Sequence, residues 1–364
     1  MLVTCFNKTY PIFRCDLEGT KILAVKEIID EERMPIFLQD GHTDLLTVNA
    51  WMESRLMPEN RDGIAAVRKL CRFENHHNMF SLSDQYWFQY TGREKWEKLN
   101  FFTNRYQTET GKLFFAPWTA DKGKIKRESP DLTTGGVLRK RWVQHEDLSS
   151  SLIKAGCRAG GQNPISEVLV SMMLEKIQVI LHVKYSLVCE GLKICSICRN
   201  FVDEDTEYVP CSHIYFKTKR DKKKESIREH IIRSAERYGI RREESEERLD
   251  DMIAADVVTS NKDRHLNNFG FLRDVHTGRL IGYAPIFDNG SAYMPFKDNA
   301  SKMFRDREEE ALIRLVRKIK GIDIDIEDMI TLTDAFPTIT PKEKEFIISR
   351  IKEGKDRLER LREK

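Results

Sequence analysis

The spacing of apolar residues changes several times along this chain, and each change predicts an element. Short apolar runs at residues 3–6 and 21–25 read as strands. Leu45, Val48, Trp51, Met52 and Leu56 then recur at helical intervals, predicting a helix over residues 45–56 that Met57-Pro58 closes. A second helix is expected over 62–72. Aromatic residues cluster at 81–88 and 96–102 without an interleaved basic stripe, so they are expected to pack this region against its neighbour rather than stack on bases.

Residues 119–124 are polar and read as a linker or hairpin tip. Small residues at 129–138 follow, then strand-like runs at 139–144 and 151–154. Pro164 opens a helix whose apolar face is Val168, Leu169, Met172, Met173 and Leu174. Strands are expected at 179–187, 191–198 and 207–216. Two amphipathic helices follow at 226–240 and 243–258, the second burying Leu249, Met252, Ile253 and Val257. Strands return at 269–272 and 280–283. The pattern divides the chain into a mixed region, 1–125, a strand-rich region, 126–216, and a helix-rich region, 217–364.

Length and composition narrow the class. At 364 residues, 40% hydrophobic and 33% charged, the chain is expected to form two or three folding units of an ordinary globular protein. No run of about 18 apolar residues predicts a membrane span, and the first residues lack the basic-then-apolar order of a signal peptide. Eight cysteines without dense spacing read as reduced thiols of a cytoplasmic protein. A formal charge of +3 gives no support for nucleic-acid binding. The basic run at 217–224 reads as a solvated loop. Cys189, Cys195, Cys198, Cys211 and His213 offer enough ligands for zinc, but only Cys195 and Cys198 form a close pair where a strong site has two. Packing of small thiols is the competing reading, and metal binding by this group stays open.

The chemistry-bearing stretch is Asn261-Lys262-Asp263-Arg264-His265-Leu266-Asn267-Asn268, answered by Ile286-Phe287-Asp288-Asn289-Gly290. Phosphoryl transfer uses one carboxylate to orient the attacking hydroxyl, and an Asn and a second Asp to hold the metal on the phosphates. Asp263, Asn268 and Asp288 have those types in that order. The first loop runs from a helix to a strand, and Asn268 and Asp288 at neighbouring strand ends can converge on Mg2+. Upstream, Thr134, Gly135 and Gly136 form a small-residue hairpin able to approach phosphates. Lys154 ends a strand where it can meet the α- and β-phosphates of ATP, and Glu167, on the first turn of its helix, can pair with Lys154. Turn formation alone would also account for Asp263 and Asp288, but not for their order behind Lys154 and Glu167.

On these residues the chain resembles the HipA-like family of bacterial serine/threonine kinases. The resemblance is strongest from Asp256 through Ser291, and extends back to about residue 130. It implies an α+β, two-lobed fold related to protein kinases and phosphatidylinositol 3/4-kinases, with residues 126–216 as the nucleotide lobe and 217–364 as the catalytic lobe. It also implies Asp263 as catalytic base, Asn268 and Asp288 as Mg2+ ligands, and Lys154 on the phosphates of ATP. A protein serine or threonine is the expected acceptor and an antitoxin-like protein a possible partner. Autophosphorylation, seen in some members, would fall on Thr133, Thr134 or the serines at 149–151. Residues 1–125 resemble the N-terminal segment of clostridial HipA-domain proteins, through the patterns Asn49-Ala50-Trp51-Met52-Glu53-Ser54-Arg55 and Leu82-Ser83-Asp84-Gln85-Tyr86-Trp87; no activity follows from it. Two other readings share the site: a nucleotide-binding pseudokinase that acts by binding a partner, and a kinase of lipids or small alcohols.

Overall fold

A computed structural model describes residues 1–65, 67, 84–106, 109–124, 136–156, 164–295 and 303–363. Thr133, Thr134, Gly135 and most of the helix expected at 62–72 lie outside these residues. The chain groups into two units. The first comprises Met1–Ala155, Val188–Val209 and Leu272–Ile281; the second comprises Gly156–Leu187, Pro210–Phe271 and Gly282–Lys364.

The first unit opens with an antiparallel sheet of order β3-β2-β1-β4, built from β1 (Leu2–Asn7), β2 (Tyr10–Glu18), β3 (Lys21–Ile28) and β4 (Tyr86–Gln89). β2 is an addition to the strands expected from sequence; Pro11 at its start obscures an alternation that buries Phe13, Cys15 and Leu17. The helix Leu45–Ser54 starts where the Asp44 carboxylate accepts from the Thr47 amide at 3.0 Å. It buries Val48, Trp51 and Met52 in the core that this sheet shares with Phe13, Tyr86 and Phe88.

The aromatic cluster therefore makes a core of its own instead of only facing a neighbour. Phe6 stacks on Trp87 at 4.7 Å, and Trp51 meets Tyr86 edge-on at 5.6 Å. The two N-terminal patterns act as staples within this core. Asn49 exchanges hydrogen bonds with the Ile22 backbone, at 2.9 Å each way. Arg55 grips Asp84 with two bonds of 2.7 Å and donates a third, of 2.5 Å, to the Tyr86 carbonyl.

A second sheet has the order β5-β6-β8-β7, from β5 (Lys140–Gln144), β6 (Ser150–Ala155), β7 (Tyr185–Glu190) and β8 (Lys193–Arg199). Its register sets Lys154 opposite Lys140 on one side and Ser196 on the other. A third sheet, of order β11-β10-β9, contains β9 (Thr206–Pro210), β10 (Gly270–Asp274) and β11 (Leu280–Tyr283), and the division between the units falls within each of its strands.

The second unit is mainly helical: Pro164–Ile177, Ile227–Arg237, Arg242–Val258, Glu308–Lys318, Glu327–Ala335 and Pro341–Arg362. Helix Arg242–Val258 buries Leu249, Met252, Ile253, Ala254 and Ala255, and it delivers the chain to the polar loop after it. Of residues 179–187, expected as a strand, only 185–187 are one. Residues 181–183 instead pair with Ile286: its amide donates to Leu181 at 3.0 Å, and the Val183 amide donates to the Ile286 carbonyl at 2.9 Å. That pairing holds the approach to Asp288.

Candidate active site

The two loops that carry Asp263 and Asp288 lie within the second unit. Helix Arg242–Val258 ends as the Thr259 hydroxyl donates to the Ala255 carbonyl at 2.7 Å. Ser260 adopts φ 52°, which turns the chain, and the Asn261 amide donates back to the Asp256 carbonyl at 2.8 Å. The turn is held from both sides of Asn261. Its Nδ2 donates to the Asp256 carboxylate at 3.0 Å, and its Oδ1 accepts from the Asp263 amide at 3.3 Å.

Arg264 is the residue around which the two loops close. Its Nε and Nη2 donate to the two oxygens of Asp256 at 3.0 and 2.8 Å. Its Nη1 donates to the Asn268 carbonyl at 2.8 Å and to the Phe287 carbonyl at 2.9 Å, and Nη2 reaches the Asn289 side-chain oxygen at 2.6 Å. One planar guanidinium thereby ties the helix end, the loop carrying Asp263 and the loop carrying Asp288. Burial alone would disfavour its charge. The Asp256 carboxylate more than offsets this, aided by Asp288 and Glu167, so the Arg264 pKa stands above its ordinary value.

The second loop is fixed at two successive amides. Asp288 has φ 57°, a left-handed conformation that Asp and Asn tolerate better than most residues. Its amide donates to the Tyr185 hydroxyl oxygen at 3.3 Å, and the next amide, Asn289, donates to Glu167 Oε2 at 2.8 Å. Glu167 thus has a role not expected from sequence: it braces the loop that holds Asp288. In the first loop, Asn268 Nδ2 donates to the Asp263 carbonyl at 3.0 Å, and the Ser291 hydroxyl donates to Asp263 Oδ2 at 3.4 Å. Asp263 and Asp288 are half-buried and keep access to solvent, whereas Arg264, Glu167, Asn268 and Asn289 are buried. The holders are shielded and the carboxylates are reachable.

Asp263, Asn268, Asp288 and Glu167 are therefore gathered in one unit. Lys154 and Gly136 belong to the other. Lys154 is buried on β6, where its carbonyl accepts from Ser196 Oγ at 3.4 Å. Gly136 takes φ 86°, where a β-carbon is disfavoured, and its carbonyl accepts from the buried Arg61 at 3.1 Å. Among the described residues, no three His, Cys, Asp or Glu side chains are grouped to hold a metal. Cys195 is buried beside Ile153 and Ala155 as a small core residue, and burial raises its pKa to about 12.

One carboxylate beside one amide oxygen suits Mg2+, which takes one or two protein carboxylates and completes its shell with water and phosphate oxygens. Asn268 fits that part, because its Nδ2 is spent on the Asp263 carbonyl and its oxygen is left as the donor atom. Sequence reasoning singled out Asp263, Asn268 and Asp288. It missed Arg264, Tyr185, Asn289 and Ser291, and gave Asp256 only a backbone partner. The density of polar residues in the first loop besides the predicted ones, Asn261, Lys262, Arg264, His265 and Asn267, was the available signal.

A chain from the solved complex of the Shewanella oneidensis MR-1 toxin–antitoxin system HipA, HipB and its operator DNA superposes on 100% of this chain and 99% of its own length, with a TM-score of 0.59 and 15% identity. The Helicobacter pylori proinflammatory kinase CtkA aligns with 61% of this chain and 92% of its own, at a TM-score of 0.49 and 19% identity. No family model matches the sequence, and no curated protein matches it either. The first of these likenesses shows the fold, which is α+β and HipA-like.

Proposed function

We propose that this chain is a HipA-like serine/threonine protein kinase that uses ATP and Mg2+. The observation that carries the reading is the clamp of Arg264, which holds the Asp263 and Asp288 loops together within a HipA-like fold. In this reading Asp263 is the base: its carboxylate orients the acceptor hydroxyl and takes its proton as the oxygen attacks the γ-phosphorus, while the bond from that phosphorus to the β,γ-bridging oxygen breaks and ADP leaves. Ser291 steadies one oxygen of that carboxylate. Asn268 and Asp288 hold Mg2+, which when bound neutralises charge on the phosphates. Lys154 would contact the phosphates, Gly136 would belong to a phosphate loop with Thr134 and Gly135, which lie outside the described residues, and Glu167 serves the site by bracing Asn289.

The same proposal assigns residues 126–216 to a nucleotide lobe, 217–364 to the lobe carrying Asp263, and 1–125 to a further domain. It places the protein in the cytoplasm and extends to an antitoxin-like partner, because the similar HipA was solved together with HipB. The test is incubation of the full chain with γ-labelled ATP, Mg2+ and a cell extract. Label is expected in an extract protein or in the chain itself. Asp263→Ala and Asp288→Ala should each reduce incorporation by about 100-fold or more. Unchanged labelling in both variants would refute the assignment.

A further inference from the structure

A cavity of about 360 Å³ opens in the second unit beside the loop that carries Asp263. Asn261, Lys262 and Arg264, the residues that precede and follow Asp263, line it, while Asp263, Asn268 and Asp288 themselves are not part of its wall. The rest of the wall comes from the end of helix Arg242–Val258 with Ser260, from the segment at 303–308 and from helix Pro341–Arg362. The cavity therefore lies against the chain neighbours of the proposed base.

Its charges do not cancel. Arg264 is committed to Asp256 at 2.8 Å, and Arg350 to Glu353 at 2.6 Å. Lys262, Arg305 and Arg357 are exposed, and among the described residues they form no ion pair or hydrogen bond. Glu308 is the one lining carboxylate without an ion pair. Three unpaired cations from three separate segments thus converge on a cavity whose apolar floor includes Ile253 and Phe304, both buried. Like charges gathered on a concave surface raise the local concentration of a ligand of opposite sign.

We infer that this cavity is the acceptor-docking surface, and that it selects a polypeptide segment bearing carboxylate side chains next to the serine or threonine. The inference rests on the kinase reading above for the identity of the acceptor. Lys262 precedes Asp263 directly, so an acidic residue held there brings its neighbouring hydroxyl to the base. Arg305 and Arg357 lie on other segments and read acidic residues further along the acceptor. They make specificity contacts and take no part in phosphoryl transfer.

The test uses the full chain and two fluorescent peptides that share a central serine and differ only in having glutamates or lysines around it. Binding is followed by anisotropy at low salt, where charge contacts are least screened. The glutamate peptide is expected to bind at least about tenfold more tightly, and the double variant Arg305→Glu with Arg357→Glu should abolish or reverse the preference. The milder pair Arg305→Gln with Arg357→Gln, checked by circular dichroism, should reduce it without disturbing the fold. Equal affinity for both peptides, or a preference that survives in a folded double variant, overturns the docking surface. Transfer from labelled ATP to the same peptides is scored separately. Charge-selective binding without transfer leaves the surface standing and removes the kinase reading; transfer without charge preference does the reverse.

Discussion

Arg264 shows why a single side chain can matter more to this site than its distance from chemistry suggests. Its five hydrogen bonds reach one carboxylate, two backbone carbonyls and one amide oxygen, all within a buried pocket. Arg264→Met would leave Asp256 facing the interior without its cation and would release both loops. Removing one partner of a buried pair costs about 3–5 kcal/mol. That loss should appear as a lower midpoint in urea, followed by circular dichroism of the helices. Arg264→Lys keeps the charge but cannot make the two-pronged contact with Asp256, so an intermediate loss of stability is expected, together with a fall in phosphoryl transfer. A variant with wild-type stability would contradict the clamp. From sequence, Arg264 was merely the neighbour of Asp263; its reach to Phe287 and Asn289 exists only once the two loops have folded together.

Helix packing positions the same loops. Helix Pro341–Arg362 starts with a reciprocal capping box, in which the Thr340 hydroxyl accepts from the Glu343 amide at 3.3 Å and the Glu343 carboxylate accepts from the Thr340 amide at 2.7 Å. Its Gly354 lies against the end of helix Arg242–Val258, so closely that a β-carbon would overlap the Val258 carbonyl. The glycine permits a close approach where other residues would hold the helices apart. Gly354→Ala is usually favourable in a helix by propensity alone, by about 1 kcal/mol. Here the overlap should reverse the sign and destabilise by about 1–3 kcal/mol, read as a lower thermal midpoint. A rise in the midpoint would mean that the two helices do not pack in this way. The helix ending at Val258 was legible because Leu249, Met252 and Ile253 mark its buried face. Nothing local marked Gly354, since the reason for that glycine lies on another helix.

The first unit depends on a similar buried arginine, and the two units can be followed separately. Arg273 donates to the Met34 carbonyl at 2.9 Å, to Glu207 at 2.8 Å, to the Tyr86 hydroxyl at 3.2 Å and to the Gly278 carbonyl at 2.8 Å, with a further bond to the Glu32 carbonyl. It thus joins the three separate stretches of chain that make up this unit. All five tryptophans, at positions 51, 87, 96, 118 and 142, lie in the same unit. Arg273→Met should therefore lower the denaturation midpoint seen by tryptophan fluorescence, by a loss of about 3–5 kcal/mol. Arg264→Met should affect chiefly the helical signal. Identical shifts by both probes in both variants would rule out this assignment of the two arginines.

Much of this protein was legible from local pattern. Period and turn residues marked most of the strands and helix Arg242–Val258, because burying one face of an element requires a regular apolar spacing whatever it packs against, while the three helices after residue 307 were not anticipated. Side-chain chemistry likewise nominated Asp263, Asn268 and Asp288, and the fold brings all three into one unit. Tertiary structure alone decided which distant groups meet. It set Arg264 between two loops, turned Glu167 and Tyr185 toward the amides of Asn289 and Asp288, and gathered Lys262, Arg305 and Arg357 around one cavity. Such contacts leave no periodic trace. Each depends on a hydrogen bond or charge whose partner lies many residues away, so only the folded chain reveals it.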